Sequence, residues 1–322
     1  MHHVRVTEGQ RVAATVIYDD TFLLHDHPGH PETAARLRAI TDRLATDPAL
    51  RGLPAEPAPD ADIELLRAVH SDRHILGIEK AAQGGGGWLD GDTYCTARSY
   101  DVALRAAGAA VRATDLVMSG SARSAFGLVR PPGHHATPDQ AMGFCLFNNA
   151  AVAARTAQRL HGAARVAIVD IDVHHGNGTQ DVFYEDPSVL YCSLHQWPLY
   201  PGTGLQGETG SGRGDGTTVN VPLPPGTDGE RWLYAFEARV MPALRAHRPE
   251  LIVVSAGYDA HEADPLAELR LTTDTYAQVA AQLAALAGEI CDGRMVWVLE
   301  GGYDLDALAA SVGASLQALD AA

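Results

Sequence analysis

The chain has 322 residues, 46% hydrophobic and 20% charged, the balance of a folded globular protein and not of a disordered one. Its net charge of −16 makes nucleic acid an unfavourable partner, while either serving solubility or drawing in a cationic peptide or amine. Cys95, Cys145, Cys192 and Cys291 show no C-x-x-C spacing, the opening MHHVRVTEGQ lacks the apolar core of a signal peptide, and no apolar run approaches a membrane span. The expectation is a soluble, cytoplasmic protein without a disulfide framework.

Residues 12–18 predict a first strand, followed by a loop with Pro28, Gly29 and Pro31. Ala34, Leu37, Ile40 and Leu44 then recur at helical spacing up to Pro48. After a proline-rich connector over 51–60, Asp62 can cap a short helix carrying Ile63, Leu66 and Val69. His70 and His74 lie four apart with no suitable carboxylate between them, so they read as surface histidines. Gly84 to Gly87 lacks the spacing of a phosphate loop and reads as a mobile surface loop. Ser99 opens a long Ala-rich helix that Gly120 stops, and a buried strand over 125–129 runs into RPPGHHA.

A helix over 146–160 precedes the stretch VAIVDIDVHHGNG from Val166 to Gly178, in which 166–173 reads as a strand. Alternation along a strand puts Asp170, Asp172 and His174 on one side of it. A short helix over 179–184 and a strand over 189–194 lead into a long glycine-rich loop, HQWPLYPGTGLQGETGSGRGDG. Ordered loops of that length are more often functional than idle. Next come a strand over 217–223 and a helix over 230–247, with Trp232, Phe236, Val240 and Leu244 roughly on one face. The strand 251–256 runs into GYDAH, a helix covers 276–290, the strand 295–299 runs into EGGY, and a helix over 305–319 closes the chain.

Apolar strands alternating with helices predict one α/β domain over 1–322, three-layered, with a parallel sheet covered by helices on both faces. Such sheets bind ligands beyond the carboxyl ends of their strands. Four strands each end in reactive residues: one reaches His134 and His135, another Asp172 and His174, a third Asp259, and a fourth Tyr303. Their convergence predicts one active site. Asp172, His174 and Asp259 form a three-ligand metal set with an open position. His134 and His135 are placed to move protons, and Tyr303 to donate its hydroxyl to an oxyanion.

The segments RPPGHHA, MGFCLFNNAAVAAR, VAIVDIDVHHGNGTQDVFY, YCSLHQ, YPGTG, SAGYDAH, ADPL and LEGGYDL carry a specific resemblance. Together they make the chain similar to the zinc-dependent histone deacetylase family, in particular its class II-like bacterial members, within the arginase/deacetylase superfamily and fold. The resemblance implies removal of acetyl or another short acyl group from lysine side chains by a metal-activated water, with Zn²⁺, or Fe²⁺, as the ion. By the same resemblance Asp170 stands behind His134 and Asn177 behind His135, where some members carry Asp. A neutral partner leaves His135 the less basic, hence the general base. Gly143 matches the carbonyl that takes the amide N–H, Phe144 and Tyr200 the walls of the acyl-lysine channel, and Asp92 a rim carboxylate. Asp170, Asp172, His174, Ser193 and Leu194 match a structural K⁺ or Na⁺ site.

Two departures bear on these implications. The common H-P-E-R-P appears as His30-Pro31-Glu32-Thr33-Ala34, so the arginine that the resemblance implies at 33, shaping an internal acetate exit, is missing. Leu266 stands where a polyamine-selective relative carries Glu, which favours acyl-lysine peptides or proteins over small acylated amines such as acetylpolyamines. A two-metal ureohydrolase would need a carboxylate where His261 stands, and a non-catalytic acyl-lysine binder would not need the complete set of site residues.

Overall fold

Three wholly buried runs, LIVVSA, VAIVD and MVWVL, set the centre of the molecule. Strands apolar on both sides need cover on both sides, which favours parallel pairing with helical crossovers. In the computed structural model, which describes residues 12–322, the strands are β1 (Val12–Ile17), β2 (Ala55–Glu56), β3 (Gly86–Trp88), β4 (Tyr94–Thr96), β5 (Ala122–Gly127), β6 (Val166–Asp170), β7 (Val189–Gln196), β8 (Thr218–Leu223), β9 (Leu251–Ala256) and β10 (Met295–Leu299). Eight of them form one sheet in the order β2-β1-β5-β10-β9-β6-β7-β8, with every neighbouring pair parallel. The expected parallel α/β architecture is therefore present.

Helices Ser99–Met118 and Asn149–His161 pack together on one layer, and Ala34–Thr46, Thr273–Ile290 and Leu305–Asp320 pack together on the other. The central strands β5, β10, β9, β6 and β7 are neighbours in space. Because they run parallel, their carboxyl ends bring residues far apart in sequence to one place. Among the described residues no helix is long and apolar enough to cross a membrane. The opening MHHVRVTEGQ, read for a signal peptide, lies outside the described residues.

Several local expectations change. His70 and His74 are buried, 3% and 5% exposed. The His70 ring bridges Thr137 O at 2.9 Å and the Asn148 N–H at 2.9 Å, and His74 Nε2 meets Leu146 O at 2.8 Å. The glycine run is no free loop, since β3 pairs antiparallel with β4. β6 ends at Asp170, not at 173, because side chains there turn the backbone: Asp170 Oδ1 accepts from Asp172 N and Asp172 Oδ1 from His174 N. The helix expected over 230–247 is broken into Gly229–Ala235 and Met241–His247 by a π turn over Phe236–Val240. Pro242 lacks an N–H for regular helical pairing, and the wider turn accommodates it.

Candidate active site

Each reactive side chain is fixed by the strand end that carries it. Asp172 and His174 follow β6 and Asp259 follows β9, and their ligand atoms lie within 4.8 Å of one another. His174 Nδ1 is 3.0 Å from Asp172 Oδ1 and 3.2 Å from Asp259 Oδ2. Backbone N–H groups of neighbouring strand ends hold the remaining carboxylate oxygens: Gly301 N donates to Asp172 Oδ2 at 2.8 Å and Val173 N to Asp259 Oδ1 at 2.9 Å. The cradle leaves no room for a side chain at 301, where a Cβ would lie 2.1 Å from Asp259 Oδ2.

A divalent cation fits this donor set. Asp259 Oδ2 is buried and receives no hydrogen bond, and burial followed by the Asp172 charge pushes Asp259 up to about 7. Against the cost of burial, the hydrogen bond to Asp172 and the adjacent Asp259 carboxylate raise His174 to about 10. Two buried carboxylates held side by side, one with an oxygen that has no donor, are a set whose charge a bound cation would offset.

The two histidines after β5 are adjacent in sequence and differ in partner. His134 Nδ1 donates to Asp170 Oδ2 at 3.0 Å, and the Tyr191 hydroxyl donates to the same oxygen at 3.0 Å. Burial opposes charge on His134, but the Asp170 and Asp172 carboxylates prevail and hold it well above the ordinary imidazole value. His135 Nδ1 instead donates to the neutral Asn177 Oδ1 at 2.8 Å. Burial, then His134 and His174 as cationic neighbours, hold His135 well below that value.

A cavity of about 200 Å³ opens onto these groups, lined among others by Asp92, Gly143, Phe144, Tyr200, Leu266 and Tyr303. The Phe144 ring stands edge-on to Tyr303 with centroids 5.8 Å apart, and Tyr200 stands edge-on to His135 at 5.1 Å. Phe144 holds a positive φ of 69°, a strained conformation for a bulky residue, and its N–H donates to Thr93 Oγ1 at 3.0 Å. Burial keeps the Tyr303 hydroxyl protonated, far above its usual range. Asp264 Oδ2 accepts from Tyr303 N at 2.7 Å while its Oδ1 accepts from Leu266 N at 3.0 Å, so one carboxylate ties both cavity residues together. Ser193 pairs with Asp170 across β6 and β7, and Leu194 follows it in β7. A larger hollow of about 570 Å³, bordered by Asp228, Glu262 and Arg270, is reached by none of the strand-end residues.

Position 33 is the N-cap of the first long helix, and a buried guanidinium arrives one turn later, from Arg36. It donates to the carbonyls of Gly302 and Glu300 and lies 5.0 Å from the Tyr303 ring centre. The absence of an arginine at 33 therefore does not leave the site without one. Glu32 joins Arg36 to Arg130; despite burial, Arg130 and then Arg36 hold its carboxyl down at about 2. Sequence reasoning also passed over Glu300, whose Oε2 accepts from Gly133 N at 2.6 Å and His134 N at 3.1 Å. For Arg130 and Glu300 the signal was present, as charged residues inside apolar motifs, R-P-P-G and L-E-G-G-Y.

A parallel sheet with carboxylates, imidazoles and a tyrosine converging beyond its strand ends defines a hydrolase of the arginase/deacetylase fold. The chain belongs to the histone deacetylase family, matching the histone deacetylase domain over residues 30–319. It is 43% identical to histone deacetylase 14, chloroplastic, of Arabidopsis thaliana over 328 residues, covering 96% of this chain and 78% of that protein. It is likewise 43% identical to a histone deacetylase-like amidohydrolase of Pseudomonas aeruginosa over 279 residues, 86% of this chain and 72% of the other. The crystal structure of the HDA15 HD domain superposes with a TM-score of 0.91 at 39% identity, covering 96% of this chain and 88% of that one. The protein is thus an enzyme of a family that acts on amides.

Proposed function

We propose that residues 1–322 form a single catalytic domain that removes acetyl, or another short acyl group, from lysine side chains of peptides or proteins. The observation that carries this reading is the cavity of about 200 Å³ lined by Phe144 and Tyr200 together with His134, His135, His174 and Tyr303. Its aromatic lining suits an alkyl chain and its polar residues the amide at that chain's end. A divalent ion, Zn²⁺ or Fe²⁺, held by Asp172, His174 and Asp259 would supply Lewis acidity to the amide carbonyl and acidify a water.

The chain's own groups do the rest. His135, neutral and fixed as a tautomer by Asn177, offers Nε2 to take the proton of that water. His134, held cationic by Asp170, contributes positive charge beside the reacting carbonyl. One of the pair returns a proton to the leaving amine. Tyr303 donates its hydroxyl to the developing oxyanion, and Gly143 O receives the amide N–H. Asp92, in the cavity lining, holds the substrate backbone, and Leu266 lines the same cavity without a charge. A K⁺ or Na⁺ at Asp170, Asp172, His174, Ser193 and Leu194 would brace the turn after β6. Four free, buried cysteines suit a reducing compartment such as the cytoplasm of a bacterium.

The test is one panel of acetyl-lysine peptides, longer acyl-lysine peptides, acetylputrescine and acetylspermidine, assayed on protein of measured metal content. Acyl-lysine turnover should exceed polyamine turnover at least about tenfold, since Leu266 gives a second ammonium no partner. Equal or faster polyamine turnover overturns the lysine assignment in favour of an acetylpolyamine amidohydrolase.

A further inference from the structure

Tyr200 belongs to the long loop after β7, where Leu199 packs against the core while Tyr200 is 38% and Leu205 48% exposed. Beyond Leu199, what holds the loop is polar. The Glu208 carboxylate accepts from Gly204 N at 3.1 Å, from Leu205 N at 2.9 Å and from Gln180 Nε2 at 2.8 Å. Gln180 Oε1 accepts from Asn220 Nδ2 at 2.7 Å and from His175 Nε2 at 3.0 Å, and His175 Nδ1 accepts from the Thr203 hydroxyl at 2.8 Å. Every donor in this chain has one consistent direction. Thr203 gives to His175, His175 to Gln180, and Gln180 to Glu208. Gly204 sits between the rings of His175 and His195, and its carbonyl accepts from His195 Nε2 at 2.9 Å.

The network links two parts of the active site. His175 directly follows His174 of the donor set, while Thr203 lies three residues beyond Tyr200. We infer that Glu208 is a positioning residue for acyl-chain recognition: it closes the loop over 203–208 and so sets how far the Tyr200 wall stands from Phe144. A buried or half-buried carboxylate that gathers three N–H donors orders backbone strongly, and its removal leaves those donors unpaired. The kinetic part of this inference rests on the deacylase reading above; the ordering of the loop does not.

The experiment compares Glu208→Ala, Glu208→Gln and Thr203→Val with the unaltered full chain. Hydrogen exchange of the peptide spanning residues 199–210 should quicken about tenfold or more in Glu208→Ala, less in Glu208→Gln, which keeps one acceptor oxygen, and least in Thr203→Val. In the same order, KM for an acetyl-lysine peptide should rise, by about tenfold in Glu208→Ala, with kcat changed less than about threefold. The ratio of acetyl to longer-acyl turnover should also shift, which general destabilisation would not produce. Unchanged exchange in both Glu208→Ala and Thr203→Val overturns the inference whatever the activity. Faster exchange with unaltered KM and acyl preference overturns the positioning role. Absence of turnover on all acyl-lysines in the unaltered chain counts against the deacylase reading, and exchange then decides the loop's anchoring by itself.

Discussion

His70 offers the sharpest test of how burial governs this molecule. Its ring is buried, with Nδ1 donating to Thr137 O and Nε2 accepting from Asn148 N, an arrangement only the neutral form can make. Burial, then the neighbouring His74, lowers its pKa from 6.5 to about 3. A depressed pKa means that the unfolded chain binds the proton more readily. The stabilisation is therefore complete above pH 6.5 and is lost as pH falls toward 3. Between pH 7 and pH 5 the loss is about 2 kcal/mol for this group. For a chain of this length that corresponds to about 3 °C in Tm. The variant His70→Gln keeps a donor and an acceptor but cannot titrate. With chelator present throughout, thermal unfolding of both proteins at pH 7 and pH 5 should show the wild-type Tm falling about 3 °C further than the variant's. Other buried histidines, such as His25, also pushed to about 3 by burial, contribute equally to both proteins and cancel. Equal falls in Tm would refute the burial argument for His70.

Two further substitutions address the site. Tyr303→Phe keeps the ring contacts to Phe144 and Arg36 and removes only the hydroxyl; kcat should fall about 100- to 1000-fold with Tm nearly unchanged, and steady-state kinetics with retained activity would exclude the oxyanion role. Gly301→Ala places a methyl against Asp259 Oδ2; divalent-ion affinity, measured by titration followed by elemental analysis, should fall about 10- to 100-fold, and an unchanged affinity would mean that this cradle does not shape the donor set.

The strand-end cluster was legible because its logic is one-dimensional: apolar run, then reactive residue, four times over, with a parallel sheet doing the assembly. Features that depend on distant partners were not legible. Burial of His70 and His74 is decided by the segment 137–148, more than sixty residues away, and nothing near position 70 announces it. Strand period alone carried the reading of 166–173 past Asp170, since the alternation of polar residues is the same whether backbone or side chain accepts the next N–H. Arg36 shows the same limit. Helical spacing marks it as one of many polar positions, and only the carbonyls of Gly302 and Glu300, across the fold, show that it points inward.

The contrast between His134 and His135 follows from geometry that a linear motif hides. Their ring centroids are 4.0 Å apart. Two imidazolium charges at that distance would repel by about 4 kcal/mol at an effective dielectric of 20, so near neutrality the pair should carry one proton charge and not two. Which ring carries it is decided by partners from opposite ends of the same turn: Asp170, the last residue of β6, and Asn177, the first of the helix Asn177–Phe183. A carboxylate on one side and an amide on the other break the symmetry of two identical neighbours. The turn that supplies Asp172 and His174 to the donor set therefore also fixes, in the proposed mechanism, which histidine is free to act as base.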